Sequence, residues 1–213
     1  MLFLVVDLLQ PAVFWNGRIQ HQSKQPSRRQ IISCLGLVLW NHVYLIGSHF
    51  LWLWFLGFRY ANFRIDPQLP SLGEVIRHCI VGVPIRDVLF YYVHRLMHTK
   101  TMYRLFHRVH HEFRAPIALA AVYSHTVDHA LQNAMPIFMA MWVQRAHFVT
   151  VFLFTAVALV DAAVSHSGYS LWRIPSVEDH DIHHEKSNVN FGVIGMMDWL
   201  HGTHAKQLAK KST

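Results

Sequence analysis

An all-α integral membrane helical bundle, with about three or four membrane helices and a cytosolic histidine-rich cap able to hold two metals, is the fold that three features of this sequence predict. The 213-residue chain is 53% hydrophobic and only 15% charged, with a mean hydropathy of +0.22. That is more apolar than a soluble domain of its size. Several of its apolar runs approach or exceed the length needed to cross a ~30 Å hydrocarbon core. Its histidines are concentrated in four blocks: HRLMH (His94, His98), HRVHH (His107, His110, His111), SHTVDH (His125, His129) and HDIHH (His180, His183, His184). Residues three or four apart share a helix face, so each block is expected to present its imidazoles together. Imidazole suits iron, zinc, copper and nickel, and no single ion needs so many nitrogens. Two ions are therefore expected.

Taken in order, Leu2 to Trp15 is apolar but interrupted by Pro11. It is short for a spanning helix and reads either as an interfacial anchor or as the remnant of a helix from a longer parent sequence. Asn16 to Gln30 is polar and basic and reads as a cytoplasm-facing loop. Ile31 to Phe58 has no formally charged side chain and is long enough to span with tilt, with Trp40, Tyr44, Trp52 and Trp54 as interface anchors. Asp66, Pro67 and Pro70 mark a loop. Val75 to Val93 predicts a helix with a polar side (Arg77, His78, Arg86, Asp87) that runs straight into His94. Thr99 to Arg114 is basic and juxtamembrane in character. Ala115 to Val143 and Phe148 to Val164 predict a helical hairpin turning at Arg145. Its arms would bring His125 and His166 to one membrane face, and two crossings would return HDIHH to the side of HRVHH. The basic end (Lys206, Lys210, Lys211) assigns that side to the cytoplasm. Three regions follow: an N-terminal membrane anchor (1–74), a catalytic unit (75–204) and a basic tail (205–213).

The net charge of +7 sits in short stretches flanking apolar runs, the positive-inside pattern, so no nucleic-acid partner is expected. Cys34 and Cys79 form no CxxC, fall in apolar runs and read as small hydrophobes. There is no HExxH, no Glu followed three residues on by His, no GxSxG, no Walker loop and no GxGxxG. Hydrolase and nucleotide-binding readings lose their footing. What stays is a histidine-rich site beside a lipid-accessible bundle, where redox-active metals and dioxygen can break a hard C–H bond. Asp87, Asp128, Glu178, Asp179 and Asp181 are interleaved with the blocks and are candidate partners that orient imidazoles. We carry Asp128 and Asp181 forward as candidate catalytic-site acids.

HRLMH, HRVHHEFRAPI, the HTVD stretch, HSGY (His166 to Tyr169), HDIHH and NFGVIGMMDWLHGT together resemble the fatty acid hydroxylase and sterol desaturase superfamily of membrane di-iron oxygenases. The likeness covers roughly Asp87 to Thr203 and is best with the C4-methylsterol oxidase branch and the neighbouring fatty acid hydroxylase domain proteins. It implies an endoplasmic reticulum enzyme with two non-haem iron ions, using dioxygen and electrons from NAD(P)H relayed by a b-type cytochrome or similar redox protein, on a membrane lipid or sterol. It also implies ten metal ligands: His94, His98, His107, His110, His111, His125, His166, His180, His183 and His184. His129 has a counterpart only in some relatives. Two departures stand out: Ser170 occupies a position that is commonly Asp or His, and the N-terminal region is shorter than in most relatives.

The expected activity is hydroxylation or stepwise oxidation of an unactivated carbon on a sterol or related lipid. Fatty acyl or sphingolipid hydroxylation and sterol desaturation are the nearest alternatives. A metal transporter would line the midplane with ionisable groups, whereas most of these histidines fall outside the apolar runs. A non-catalytic interaction protein has only Ser170 in its favour.

Overall fold

The computed structural model describes residues 19–20, 26–55, 63–169 and 175–211. The expected interfacial helix from Leu2 to Trp15, and Ser170, lie outside them. Among the described residues all regular structure is helical, apart from an isolated bridge between Arg64 and His147.

Helix α1 spans Arg28–Phe55. It opens on a reciprocal cap: Ser27 Oγ accepts from the Gln30 backbone N–H, and Gln30 Oε1 accepts from the Ser27 N–H. Such S-x-x-Q pairs satisfy two donors that a helix start leaves open. The structure thus begins the helix three residues before the predicted Ile31, because the cap admits Arg28 and Arg29 to the first turn. Helix α2 spans Leu72–Met97, capped by Ser71 Oγ accepting from Glu74 N, and tolerates Pro84 in its interior.

The short helix α3 (Lys100–Leu105) leads into two 3-10 segments, His107–Glu112 and Ala118–Val122. Helix α4 then runs from Thr126–Asp128 through a π-helical turn at His129–Ala134 into Met135–Trp142. After a turn at Arg145 (φ 51), α5 covers Phe148–Ser165. Helices α6 (Pro175–Lys186), α7 (Met196–His201) and α8 (Ala205–Lys211) follow. The predicted hairpin is present, but its first arm becomes helical only at Thr126.

Among the described residues two helices, Arg28–Leu51 and Phe148–Ser165, are long and apolar enough to cross a membrane. Both expose their apolar side chains: Ile32, Val43 and Phe50 on α1, and Phe152, Val157 and Val160 on α5, are all more than 60% exposed. A soluble core helix would bury them; a bilayer-facing one does not. Helix α2 is longer but carries Glu74, Arg77, Arg86, Asp87 and Arg95, and α4 is broken by its π turn.

Three apolar clusters hold the frame. Ile137, Ala140, Met141, Val151, Phe154 and Ala158 join α4 to α5, with Cys79 and Ile85 of α2 packed against them. Gly82 permits this approach, since a Cβ there would run into Met141 Cε and Phe154. Ile31, Cys34 and Val38 of α1 pack on Phe113, Ile117 and Ala120. Tyr91, Phe191 and Met197 tie α2 to α7. Both cysteines are free thiols, as their spacing predicted.

The segment before α2 is pinned to the hairpin turn by Arg64 N–H donating to Ala146 O (3.1 Å) and Phe148 N–H donating to Arg64 O (2.8 Å). Helices α2 and α5 therefore start at one end of the bundle. Their last residues, and the start of α4, meet at the other.

Candidate metal centre

At that far end nine histidines form two groups. His94, His98, His107, His111 and His183 make the first; His110, His166, His180 and His184 make the second. Within each group one nitrogen per residue lies within 4.8 Å of every other. In the first, His98 Nε2 stands 3.2 Å from His94 Nε2, 3.1 Å from His183 Nε2 and 3.2 Å from His111 Nε2, which is itself 3.1 Å from His107 Nε2. In the second, His166 Nε2 lies 3.3 Å from His110 Nε2 and 2.8 Å from His180 Nε2, which is 3.1 Å from His184 Nε2.

The opposite edges of four of these rings fix their tautomers. His94 Nδ1 sits 2.7 Å from Phe191 O, His183 Nδ1 2.7 Å from Val189 O, His110 Nδ1 3.1 Å from Tyr123 O and His166 Nδ1 2.8 Å from Ala162 O. A carbonyl only accepts, so each Nδ1 carries the proton and each Nε2 offers a lone pair. His110 and His166 thus point two lone pairs at each other with no proton between them. Convergent acceptors repel unless a cation lies among them, and the donor set therefore fits a metal ion in each group.

Burial reinforces the fit. Removal from water lowers His110 to about 4 and His183 to about 3, and pushes His180 and His184 well below the ordinary imidazole value, with neighbouring imidazoles adding to the effect in His180 and His184. Neutral imidazole is the metal-binding form.

The blocks do not each face one ion, as helix periodicity suggested. HRVHH sends His107 and His111 to the first group and His110 to the second; HDIHH sends His183 to the first and His180 and His184 to the second. On α6, His180 and His184 lie one turn apart on one side. His183 precedes His184 by about 100° of helix rotation, so it must face elsewhere.

His166, carried on the C-cap of α5, enters the second group as the resemblance implied. His125 is brought into neither. It is the N-cap of α4, where its Nδ1 accepts from the Val127 N–H at 3.2 Å and its ring packs 5.0 Å from Phe106. A side chain engaged in capping its own helix is turned from the cluster. His129 also stands apart, beside His42 and Asn133.

Among the acids, Asp128 stands beside a histidine of the first group: its Oδ2 lies 2.9 Å from His107 Nδ1, and it is 2% exposed. Such a carboxylate fixes the tautomer and raises the basicity of the opposite nitrogen. Asp128→Ala should weaken metal binding in the first group about 10- to 100-fold and spare the second. A chelator titration of the purified protein checks this, and equal retention by variant and wild type would contradict it.

Asp181 and Asp87 accept hydrogen bonds away from the two groups. Both oxygens of Asp181 accept from Gln20 Nε2 at 3.0 Å. Asp87 is fully buried and accepts from the N–H groups of Val193 (2.7 Å), Ile194 (2.9 Å) and Met197 (3.1 Å).

Those last bonds expose a support that the sequence reading missed. Asp198 Oδ1 accepts from Phe191 N (2.8 Å) and Thr203 Oγ1 (2.7 Å), and its Oδ2 from Gly192 N (2.6 Å). Asp87 and Asp198 together hold the loop whose carbonyls at Val189 and Phe191 orient His183 and His94. A Cβ on Gly192 would come 2.9 Å from Asp198 Oδ2 and 3.0 Å from Asp87 Oδ1, so a side chain there would push against both carboxylates. An acid inside the apolar run MMDWL was the available signal, the same one that marked Asp128.

A cavity of about 110 Å³ reaches the second group, lined by Arg86, Phe90, Asp161, His166, His180 and Ile194 among others.

Comparison with known proteins places the two groups within a described domain. The sequence model of the fatty acid hydroxylase family matches residues 79–203, more than half of the chain. The human fatty acid hydroxylase domain-containing protein 2 is 39% identical over 136 residues, 64% of this chain and 41% of that protein. Fatty acid hydroxylase ahd1 of Mycosarcoma maydis is 31% identical over 206 residues, 95% of this chain and 53% of its own length. Methylsterol monooxygenase 1-2 of Arabidopsis thaliana is 34% identical over 152 residues, 66% of this chain and 50% of that protein. The chain thus spans about half the length of the curated relatives it matches. No solved structure matches it significantly.

Proposed function

Since the chain belongs to the fatty acid hydroxylase family, we propose that it is a membrane-bound non-haem di-iron oxygenase. Its reaction would hydroxylate or oxidise an unactivated carbon of a sterol or related lipid with dioxygen. The observation that carries this reading is the pair of all-histidine groups, five and four nitrogens, side by side at the end of the bundle. Their rings approach to 4.7 Å between His111 and His184.

Iron bound there would supply the activation of dioxygen needed to break a C–H bond. The chain's residues do the rest. The nine imidazoles hold the ions, and the carbonyls of Val189, Phe191, Tyr123 and Ala162 lock the tautomers of four of them, His183, His94, His110 and His166. Asp128 supplies a compensating negative charge in a donor set that is otherwise neutral. Burial keeps bulk water away.

The cavity at His166 and His180 is the route by which a lipid would reach the second group. Electrons from NAD(P)H, through a b-type cytochrome or similar donor, belong to this reading. So does an endoplasmic reticulum membrane with the centre facing the cytoplasm; the supporting observation is that Lys100, Arg104, Arg108 and Lys206 flank the histidine end. Fatty acyl hydroxylation is the second reading, favoured by the name of the fungal relative that matches 95% of this chain.

Elemental analysis of detergent-purified protein should find about two irons per chain. The His110→Ala His183→Ala variant, which takes one donor from each group, should retain no more than about one. Dioxygen uptake in the presence of a 4-methyl sterol then tests the activity. A wild-type protein with little metal would sink the di-iron reading.

A further inference from the structure

We propose that Arg86 and Asp161 form a recognition point for the hydroxyl group of an alcohol-bearing lipid, in the cavity that His166 and His180 also line. This rests on the oxygenase reading above and deepens it to a substrate feature.

Asp161 is the only charged residue of α5, an otherwise apolar helix that can cross a membrane. Ionisable groups in such helices are costly and mark function more often than not. Its Oδ2 accepts from Arg86 Nη1 of α2 at 3.3 Å. The pair is unequal in exposure, 11% for Arg86 and 40% for Asp161, and the buried Arg86 Nε has no hydrogen-bond partner. Both residues line the cavity with His166 and His180.

The cavity wall therefore holds a guanidinium with an unused N–H, shielded in this conformation, beside an accessible carboxylate acceptor. A hydroxyl meets both at once, accepting from Arg86 and donating to Asp161. An ester or thioester carbonyl can only accept and would set an acceptor against Asp161. A carboxylate would be repelled, because Asp161, Asp179 and Asp198 outnumber Arg86 in the lining. Phe90, Ala162, Val193 and Ile194 provide apolar wall for the body of the lipid.

Asp161 and His166 are five residues apart on one helix, about 7–8 Å of rise. With the hydroxyl held at the pair, the carbon delivered to the second group lies only a few bonds from it. The substrate class that fits is a lipid alcohol oxidised close to its hydroxyl, rather than a fatty acyl chain oxidised far from its polar end.

The test is equilibrium binding to the full chain in nanodiscs, using tritiated 4,4-dimethylcholestan-3-ol, its 3-methyl ether and palmitate. Wild type should bind the alcohol at least about tenfold more tightly than the ether, the effect of one hydrogen bond to a charged group. In Asp161→Ala that preference should fall below about twofold, with affinity for the ether unchanged as the sign of an intact fold, whereas Arg86→Gln removes the donor that both oxygens accept from and should weaken alcohol and ether alike. Equal binding of alcohol and ether by wild type overturns the assignment without any variant being needed, as does a preference that survives in Asp161→Ala. Palmitate binding in place of either sterol would overturn the sterol reading itself, whereas sterol binding without preference for the alcohol overturns only the hydroxyl contact.

Discussion

Replacing His184 by alanine is expected to remove about one of two irons per chain, while His183→Ala, one residue away, should weaken retention of the other iron without abolishing it. The difference follows from the donor counts. His184 belongs to the four-nitrogen group, which the change leaves with three donors; His183 belongs to the five-nitrogen group, which keeps four. Iron content before and after a chelator wash, measured on both variants, separates the two. Identical loss from both would mean that the groups do not act as separate binding sites.

Asp87→Ala should lower unfolding stability by about 3–5 kcal/mol, a large effect for one residue. The substitution strands the N–H groups of Val193, Ile194 and Met197 in a buried position, and each orphaned donor costs about 1–3 kcal/mol. Asp87→Asn should cost less, because Oδ1 can still accept from Val193 and Ile194 while the new amide faces the Met197 N–H donor to donor. Iron in the first group should loosen in step, since His94 and His183 lean on the carbonyls of that loop. Thermal unfolding in detergent with metal analysis at each temperature would show this. Full stability in Asp87→Ala would refute the anchoring role.

Much of this was legible from spacing alone. HxxxH and two HxxHH blocks told of eight imidazoles gathered at one end, and the 20- and 21-residue arms around Arg145 told of His166 arriving beside them. Asp128 was legible because an acid in an apolar run must find a partner. Three things were not. Periodicity presumes a regular α-helix, yet HRVHH adopts a 3-10 turn and splits its ligands. Spacing also cannot tell a ligand from a cap, which is why His125 looked equivalent to His166. The anchors Asp87 and Asp198 act through backbone N–H groups some 110 and 7 residues away, and backbone bonding leaves no mark on side-chain pattern.

The division of HRVHH and HDIHH between the groups has a mechanical consequence. His110 and His111 are joined by one peptide unit, as are His183 and His184, and each pair straddles both centres. Neighbouring Cα atoms are held at 3.8 Å by covalent geometry. Twice over, then, the separation of the two centres is gauged by a chemical bond rather than by the docking of one helix on another. Bending of the bundle in a thicker or thinner bilayer can tilt the whole assembly, but it cannot stretch this ruler.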